Sequence, residues 1–370
     1  MARMRPSKIQ LLVASAAIPF LIFAWRCDAA WFARHVFLPQ QFFVSASPHV
    51  VVWSRATAAA MAALLLRVAI RLPRRDVALR SLVAVLFAVI AAEALLQWRL
   101  HRWLNPGLAD GTDALVEWNP RYGSTLRPDL DRIDIASGRE IHFRTDSERR
   151  RTSGAPLDPA LPTLVFTGES TVAGIGLRWE ETFPAILGRR LRSQVINLAS
   201  PGYRIDQSWL RLEAELPKLD HPLAVVGLFT PGLVGRSFAN QAHPSARSSP
   251  GGVQLLPPES PGLLRRSGLY RLWKHLYWSD AAIDEGMASV SAVMRQMTNL
   301  ARARGAPCIF VVTGATPPWM RHALFDLSGL DYVVVEVPRE ELLADSHPGP
   351  RANERFADAL ELRLRAAGYK

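Results

Sequence analysis

Three apolar segments within the first 104 residues constrain the fold of this chain more than any other feature of its sequence. They cover residues 8–25, about 48–66 and about 81–98. Each is close to the ~20 residues that a helix needs to cross a bilayer. We therefore expect residues 1–104 to form a membrane anchor with about three transmembrane helices.

The first apolar segment follows a basic start, "MARMRPSK", which fits either a retained membrane helix or a cleaved signal peptide. The residues before Cys27 are Ala24, Trp25 and Arg26, which make a poor site for cleavage or lipidation. This favours a retained first helix.

Arginines set the expected orientation of the anchor. The loop between the second and third segments carries Arg67, Arg71, Arg74, Arg75 and Arg80. The positive-inside rule places this loop in the cytoplasm, beside the basic N-terminus. Three crossings then put the residues after about 100 outside the cytoplasm, so we expect a multi-pass protein of the cell membrane whose C-terminal domain is extracytoplasmic (periplasmic).

Two charged residues interrupt the apolar segments. Arg55 lies in the second segment and Glu93 in the third, and a hairpin of the two helices would place both in the outer part of the bilayer. One interpretation is an ion pair at matching depth, which lowers the cost of burying either charge. The other is that Arg55 extends to the outer headgroups and that Glu93 is protonated or hydrated.

The positive charge of the chain belongs to the anchor. Residues 1–104 hold 13 Lys+Arg against 3 Asp+Glu, whereas the other residues hold 31 against 30. The C-terminal two thirds therefore lack the basic face of a nucleic-acid-binding domain, and we expect no nucleic-acid partner. The two cysteines, Cys27 and Cys308, form no metal-binding spacing, so no metal site is expected.

The remaining chain divides into two parts by its sequence pattern. Residues 105–160 are polar and rich in turn formers, and they predict a connector with a short β-element packed on the next domain. From residue 161 to 370, short apolar runs alternate with amphipathic stretches, which predicts an α/β domain with a mostly parallel sheet. A polar insertion at about 235–262 is open between a substrate-covering lid and a mobile loop.

Ser170 follows the first predicted strand, where ligands of such sheets bind. The turn is not a G-x-S-x-G elbow, because Val172 stands where glycine is required, and it is not a phosphate loop. Serine is a weak nucleophile unless a base removes its proton. Among nine histidines, His347 stands just before the last predicted helix with Asp345 two residues earlier. Taken singly, Ser170 also fits a helix cap, and Asp345 with His347 fits a surface pair.

The motifs "FTGES", "GIG", "INLASPGYRIDQ" and the terminal Asp/His pair resemble, in order, the SGNH or GDSL hydrolase family over roughly residues 160 to 368. The resemblance implies an SGNH-hydrolase-like (flavodoxin-like) parallel sheet flanked by helices, an esterase activity and no cofactor. It also implies Ser170 as nucleophile and oxyanion donor, Gly202 as a second oxyanion donor, and Asp345 and His347 as catalytic acid and base.

The chain departs from the family pattern at three places. Pro231, which has neither a side-chain amide nor a backbone N–H, stands where the family has asparagine, and Thr230 beside it is a candidate substitute. Glu169 replaces the family's aspartate. One residue, rather than the two found in many members, separates Asp345 from His347.

Three functions are compatible with these residues. The first is a membrane-anchored extracytoplasmic serine esterase acting on O-acyl groups of carbohydrate or lipid. The second is an O-acyltransferase of an envelope polysaccharide, which needs a membrane partner because three helices are few for carrying an acyl donor across. The third, motivated by Pro231, is a catalytically lapsed domain that binds glycan or a partner protein.

Overall fold

The computed structural model describes residues 8–38, 48–71, 85–97, 114–136, 138–220, 222–239, 245–250, 252–257 and 266–369. These residues form two compact units. The first unit contains the described residues before 105 together with 266–278. The second contains the described residues from 114 to 257 and from 279 onward.

The α-helices and strands were numbered in chain order. The helices are α1 (Lys8–Ser15), α2 (Ile18–Arg26), α3 (Ala29–Phe32), α4 (Pro48–Arg71), α5 (Val85–Gln97), α6 (Ser170–Ala173), α7 (Phe183–Arg190), α8 (Ile205–Glu215), α9 (Gly232–Ala239), α10 (Gly268–Leu276), α11 (Asp280–Ala303), α12 (Pro318–Arg321) and α13 (Pro350–Ala366). The strands are β1 (Val116–Asn119), β2 (Gly123–Leu126), β3 (Asp131–Ala136), β4 (Arg139–Arg144), β5 (Thr163–Thr167), β6 (Gln194–Asn197), β7 (Pro222–Phe229), β8 (Ser245–Ser249), β9 (Gly252–Leu256), β10 (Cys308–Thr313) and β11 (Asp331–Val335).

Apolar helices dominate the first unit. Among the described residues, α4 is the one helix that is long and apolar enough to cross a bilayer. The first predicted segment is a bent pair, Val13–Arg26 and Ala29–Phe37, which meets at 97° and counts as at most one span. Helix α5 is apolar but shorter, and residues 81–84 and 98 of the third predicted segment lie outside the described residues. The expected three crossings therefore stay a prediction.

The ion pair between Arg55 and Glu93, one of the two interpretations of these residues, does not form. Arg55 Nε donates a hydrogen bond to the Ala24 carbonyl at 2.8 Å. Because α2 ends at Arg26, that carbonyl lacks a helical partner and attracts a donor. The Glu93 carboxylate accepts from the backbone amides of Gly268 and Leu269, at 2.6 and 2.9 Å, where α10 begins. Each charged group thus forms hydrogen bonds with backbone groups that lack helical partners at a helix end.

A five-stranded parallel sheet forms the centre of the second unit, as the strand–helix alternation predicts. Its order is β11-β10-β7-β5-β6. Numbered within the sheet, this is the 2-1-3-4-5 order of flavodoxin-like folds, whose binding site lies at the carboxyl ends of the first and third strands. Those strands are β5 and β7, which are neighbours, with Thr167 opposite Gly227.

Helices cover the sheet because its strands are apolar on both faces. Every residue of β5 and β10 is buried. Phe166 packs with Phe183 of α7 and, through that ring, with Phe356 of α13. Helix α11 packs on α8 and on β10. Continuous apolar runs of this kind are typical of parallel strands buried between two helical layers.

The polar insertion at about 235–262 contains regular structure. After α9, strands β8 and β9 form an antiparallel hairpin that packs on α11. The Ala246 amide donates to Asp206 Oδ2 at 3.1 Å, which fixes the hairpin to α8. The described part of the insertion is therefore regular structure rather than the mobile loop that was one of the two alternatives. Residues 240–244, 251 and 258–262 lie outside the described residues.

Candidate active site

The turn between β5 and α6 presents Ser170 at the first position of α6. Gly168 is required there, since a Cβ atom would lie 2.5 Å from Val172 Cγ2. The buried Asn197 side chain donates to the Val172 carbonyl at 2.7 Å and thereby holds α6 against the end of β6. The close approach of the Val172 side chain to Gly168 and the hydrogen bond from Asn197 to the Val172 carbonyl together fix the turn that carries Ser170.

The structure brings Ser170, His347 and Asp345 together. His347 Nε2 lies 2.8 Å from Ser170 Oγ, and His347 Nδ1 lies 3.0 Å from Asp345 Oδ2. The second contact has the length of an ion pair, but its angle is too poor for a hydrogen bond. Catalytic hydrogen bonds are often misaligned without substrate and tighten when it binds. The arrangement is that of a nucleophile, a base and a carboxylate that orients the base.

A strained turn allows Asp345 to reach His347 across one residue. Ser346 has a φ of 69°, a left-handed conformation that non-glycine residues rarely adopt. Asp345 Oδ1 accepts from the His347 amide at 3.1 Å, and the Leu343 amide donates to the His347 carbonyl at 2.7 Å. The left-handed residue therefore compensates for the short spacing in the sequence.

Glu169 contacts the nucleophile directly. Its carboxylate is buried, with Ser170 Oγ donating to Oε2 at 2.8 Å and Thr171 Oγ1 donating to Oε1 at 2.8 Å. A hydroxyl has one hydrogen, so Ser170 donates either to Glu169 or to His347. When Glu169 accepts it, the contact with His347 requires a hydrogen on Nε2.

Gly202 and Thr230 lie on the loops on either side of this turn. The Ser200 amide donates to the Gly168 carbonyl at 3.3 Å, which brings the Gly202 loop beside the nucleophile turn. Gly202 has a φ of 77°, and a Cβ there would meet no atom within 4 Å. The space beside its backbone is thus open.

Thr230 ends in a buried hydroxyl. Its side chain is 0% exposed, and Oγ1 has no hydrogen-bond partner among the described residues. Thr167 pairs with Gly227, so Ser170 and Thr230 each stand three residues beyond the same level of the sheet. Buried hydroxyls are normally satisfied, and an unsatisfied one beside a nucleophile is a candidate donor to a ligand.

Arg151 supports the nucleophile turn, a role that the sequence pattern does not reveal. Its side chain is 1% exposed and donates to the carbonyls of Ala173, Gly174 and Leu177 at 3.0, 3.2 and 2.9 Å. The guanidinium lies over the Phe143 ring, 3.8 Å from its centroid. Burial lowers the pKa of Arg151 to about 9, so the group is cationic at neutral pH.

The first β-hairpin supports the Gly202 loop in the same way. Tyr203 hydroxyl donates to Thr125 Oγ1 at 3.0 Å, and Gln207 Nε2 donates to the Tyr122 carbonyl. All four groups are buried or lie on buried residues. The segment before β5 therefore contacts the backbone behind Ser170 through Arg151, and the side chains that follow Gly202 through Tyr122 and Thr125.

Asn353 supports the histidine loop. This fully buried side chain of α13 donates through Nδ2 to the carbonyls of Pro348 and Gly349, at 3.1 and 3.0 Å. Its Oδ1 accepts from the Phe183 amide at 2.9 Å. The segment next to His347 is thus tied to both α7 and α13.

Among the described residues, no cluster of three His, Cys, Asp or Glu side chains is arranged to hold a metal ion.

No protein-family profile matches the chain, and no curated protein matches it. Among solved structures, it is similar to an acetyl xylan esterase from the rumen bacterium Butyrivibrio proteoclasticus, at 13% identity and a TM-score of 0.37, over 58% of this chain and 66% of that one. It is also similar to a lipolytic protein of the G-D-S-L family from Desulfitobacterium hafniense, at 12% identity and a TM-score of 0.34, over 55% and 98%.

A third similar structure is an SGNH-hydrolase family esterase, at 16% identity and a TM-score of 0.31, over 58% of this chain and 98% of that one. Solved structures that are similar to this chain therefore include members of the family that its motifs resemble. The chain spans 66% of the length of the acetyl xylan esterase. Likenesses of this size carry no argument about activity, which has to come from the geometry of the site.

Replacing Arg151 by methionine keeps most of the buried volume but removes three hydrogen bonds to buried carbonyls. We expect Arg151→Met to lower the free energy of unfolding by about 3 kcal/mol or more, because hydrogen bonds to charged groups contribute about 1.5–3 kcal/mol each. Urea unfolding of the full chain in mild detergent, followed by circular dichroism, measures the loss.

The matched control is Arg190→Met. Arg190 pairs with Glu354, Asp358 and Glu361 at the surface, where ion pairs contribute about 0–1 kcal/mol. Equal losses in the two variants would contradict the role given to Arg151.

The turn at Ser346 predicts opposite effects of two substitutions. Ser346→Gly is expected to leave the free energy of unfolding within about 0.5 kcal/mol, because glycine adopts a left-handed conformation freely. Ser346→Val is expected to lower it by about 1–2 kcal/mol or more. Equal stability of the two variants in the same unfolding experiment would show that the left-handed turn is not present in solution.

Proposed function

We propose that this chain is a membrane-anchored, extracytoplasmic serine esterase that hydrolyses O-acyl groups of carbohydrate or lipid through an acyl-Ser170 intermediate. The observation that carries the proposal is the contact of Ser170 Oγ with His347 Nε2 at 2.8 Å, with Asp345 at 3.0 Å from the other ring nitrogen. A capping serine and a surface Asp–His pair have no reason to meet across the sheet edge in this order.

The reaction begins when His347 Nε2 takes the Ser170 proton as Oγ bonds to the ester carbon. The C=O electron pair moves to oxygen and forms a tetrahedral oxyanion. Collapse of this intermediate breaks the bond to the alcohol oxygen, which takes the proton from Nε2. Water then attacks the acyl-serine, gives a proton to Nε2, and releases the carboxylic acid as Ser170 regains its proton.

Asp345 acts on His347 rather than on the substrate. Its carboxylate favours the ring orientation that presents Nε2 to Ser170, and it stabilises the imidazolium formed in each step. Closing of the 3.0 Å contact into an aligned hydrogen bond is the change that substrate binding has to bring about.

Three donors are proposed for the oxyanion. The first is the Ser170 amide, which stands at the start of α6 where no intrahelical acceptor exists. The second is the Gly202 amide, beside open space. The third is the Thr230 hydroxyl, which takes the place of the asparagine amide that Pro231 removes. Its burial without a partner supports this role, since it has no competing bond to break.

The first unit supports the proposed membrane location. Most of the exposed large hydrophobic side chains among the described residues belong to that unit. Surfaces of this kind are normally covered by lipid or by another protein. With the basic loop on the cytoplasmic side, the catalytic unit is extracytoplasmic, and the esters within reach there are acylated envelope carbohydrates and lipids.

The function is tested by hydrolysis of p-nitrophenyl acetate by the full chain in mild detergent. We expect Ser170→Ala and His347→Ala to lower kcat by about 10⁴-fold or more, and Asp345→Asn by roughly 10³- to 10⁴-fold. A fluorophosphonate probe is expected to label the parent chain and not Ser170→Ala.

The outcomes separate the three functions. A folded parent chain with neither turnover nor labelling would favour a lapsed binding domain. Labelling of Ser170 together with little hydrolysis would favour an O-acyltransferase that works with a membrane partner, if release of p-nitrophenol becomes faster when a sugar hydroxyl is supplied as acceptor.

Thr230→Val tests the substitute oxyanion donor. The variant removes the hydroxyl at nearly constant volume, and we expect kcat to fall by about 10²- to 10³-fold, the typical effect of losing one such donor. The free energy of unfolding is expected to stay the same or to rise, because the buried hydroxyl makes no bond in the folded chain.

Thr313→Val is the matched control. Thr313 is equally buried, also lacks a partner for Oγ1 among the described residues, and ends β10, one strand farther from Ser170. A similar loss of kcat in both variants would indicate a general effect of the substitution rather than an oxyanion contact.

A further inference from the structure

Helix α10 carries an apolar stripe on its surface. Its sequence is "GLYRLWKHL", and Leu269, Leu272, Trp273 and Leu276 recur at the i, i+3, i+4, i+7 spacing of one helix face. These side chains are 36%, 37%, 50% and 39% exposed. An amphipathic helix on the surface of a water-soluble protein packs its apolar face against the core, whereas the apolar face of α10 is exposed.

Both ends of α10 are nevertheless fixed to the apolar helices of the first unit. At the N-terminus, the Glu93 carboxylate of α5 accepts from Gly268, Leu269 and the Ser267 hydroxyl. At the C-terminus, the Trp278 amide donates to the His35 carbonyl at 2.9 Å, and the His35 ring contacts the Trp278 carbonyl at 2.7 Å. The exposed stripe is therefore held in place rather than left on a free segment.

The composition of α10 indicates what lies against it. Nine residues make a helix about 14 Å long, too short to cross a bilayer. Lys274 Nζ lies 5.5 Å from the centre of the Trp273 ring, and Tyr277 stacks between Trp273 and Trp31. Aromatic rings beside a cationic side chain are typical of the boundary between lipid headgroups and acyl chains.

We propose that α10 is an interfacial helix whose apolar stripe lies in the lipid headgroup–acyl boundary, with Glu93 as the residue that fixes it to the anchor. The proposal rests on the membrane location of the first unit and adds a second attachment to it. The occupant is lipid rather than protein because the stripe belongs to the same compact unit as α2, α4 and α5, whose large apolar side chains are also exposed. Lys274 complements anionic headgroups.

The consequence for the catalytic unit lies in the chain connectivity. The chain leaves that unit after the β8–β9 hairpin, enters the first unit as α10, and returns as α11, which packs on α8 and β10. The chain therefore joins the catalytic unit to the first unit through the segment before residue 114 and through the two ends of α10.

Spin labels on single cysteines test the proposal in the full chain. The two native cysteines, both buried, are replaced by alanine, and the chain is placed in phosphatidylcholine–phosphatidylglycerol nanodiscs. Labels at Leu272→Cys and Leu276→Cys report the stripe, Lys274→Cys reports the opposite side, and Ile90→Cys on α5 reports the anchor. We expect oxygen to relax the labels at 272, 276 and 90, and a water-soluble nickel complex to relax the label at 274.

Each outcome decides one point. Labels at 272 and 276 that respond to nickel while the label at 90 responds to oxygen would overturn the interfacial helix and leave the anchor standing. Nickel responses at all four sites would overturn the membrane location as well. Shielding of the labels at 272 and 276 from both reagents would show that protein, such as a second copy, covers the stripe.

Addition of Glu93→Ala is expected to increase the mobility of the label at 272, and unchanged mobility would remove Glu93 from the proposal.

Discussion

The buried guanidinium of Arg151 is the contact on which the candidate active site depends most. A cation at this depth is unfavourable unless it is hydrogen-bonded, and the carbonyls of Ala173, Gly174 and Leu177 accept from its two terminal nitrogens, whereas Nε has no partner among the described residues. The same contact gives a donor to the Ala173 carbonyl at the end of the short helix. Because α6 has a single turn, its position is set by what lies behind it, and Ser170 is held where Arg151 and Asn197 hold α6.

The catalytic groups come from three loops at one edge of the sheet, and each loop has its own support. Asn353 ties the segment after His347 to α13. The hairpin of β1 and β2 holds the chain after Gly202. These supports are hydrogen bonds from buried side chains, to backbone carbonyls in all cases except that of Tyr203 with Thr125, and none of them uses a candidate catalytic side chain.

The sequence predicted the sheet because its strands are continuous apolar runs separated by amphipathic helices. It predicted the meeting of Ser170, His347 and Asp345 because each follows a strand whose end faces the same edge. It did not reveal Arg151 or Asn353, since a buried arginine or asparagine has no local pattern. Of its two interpretations of Arg55 and Glu93, the ion pair does not form, because both side chains bond to backbone groups at helix ends, which a comparison of their depths in the bilayer does not take into account. The stripe of α10 was missed because the helix lies outside the strand–helix repeat.

The single hydrogen of Ser170 has a consequence for selectivity. Two acceptors lie at equal distance from the hydroxyl, and only His347 is placed to pass the proton on to a leaving alcohol. Under the proposed mechanism, the state in which Glu169 accepts the hydrogen is idle. Productive binding then includes turning that hydrogen toward His347, with Nε2 unprotonated and the ring hydrogen on Nδ1, which faces Asp345. Contacts made by the rest of a substrate can supply the free energy for this turn. A small ester lacks those contacts, so the proposed enzyme is expected to turn it over measurably but more slowly than an ester that makes them.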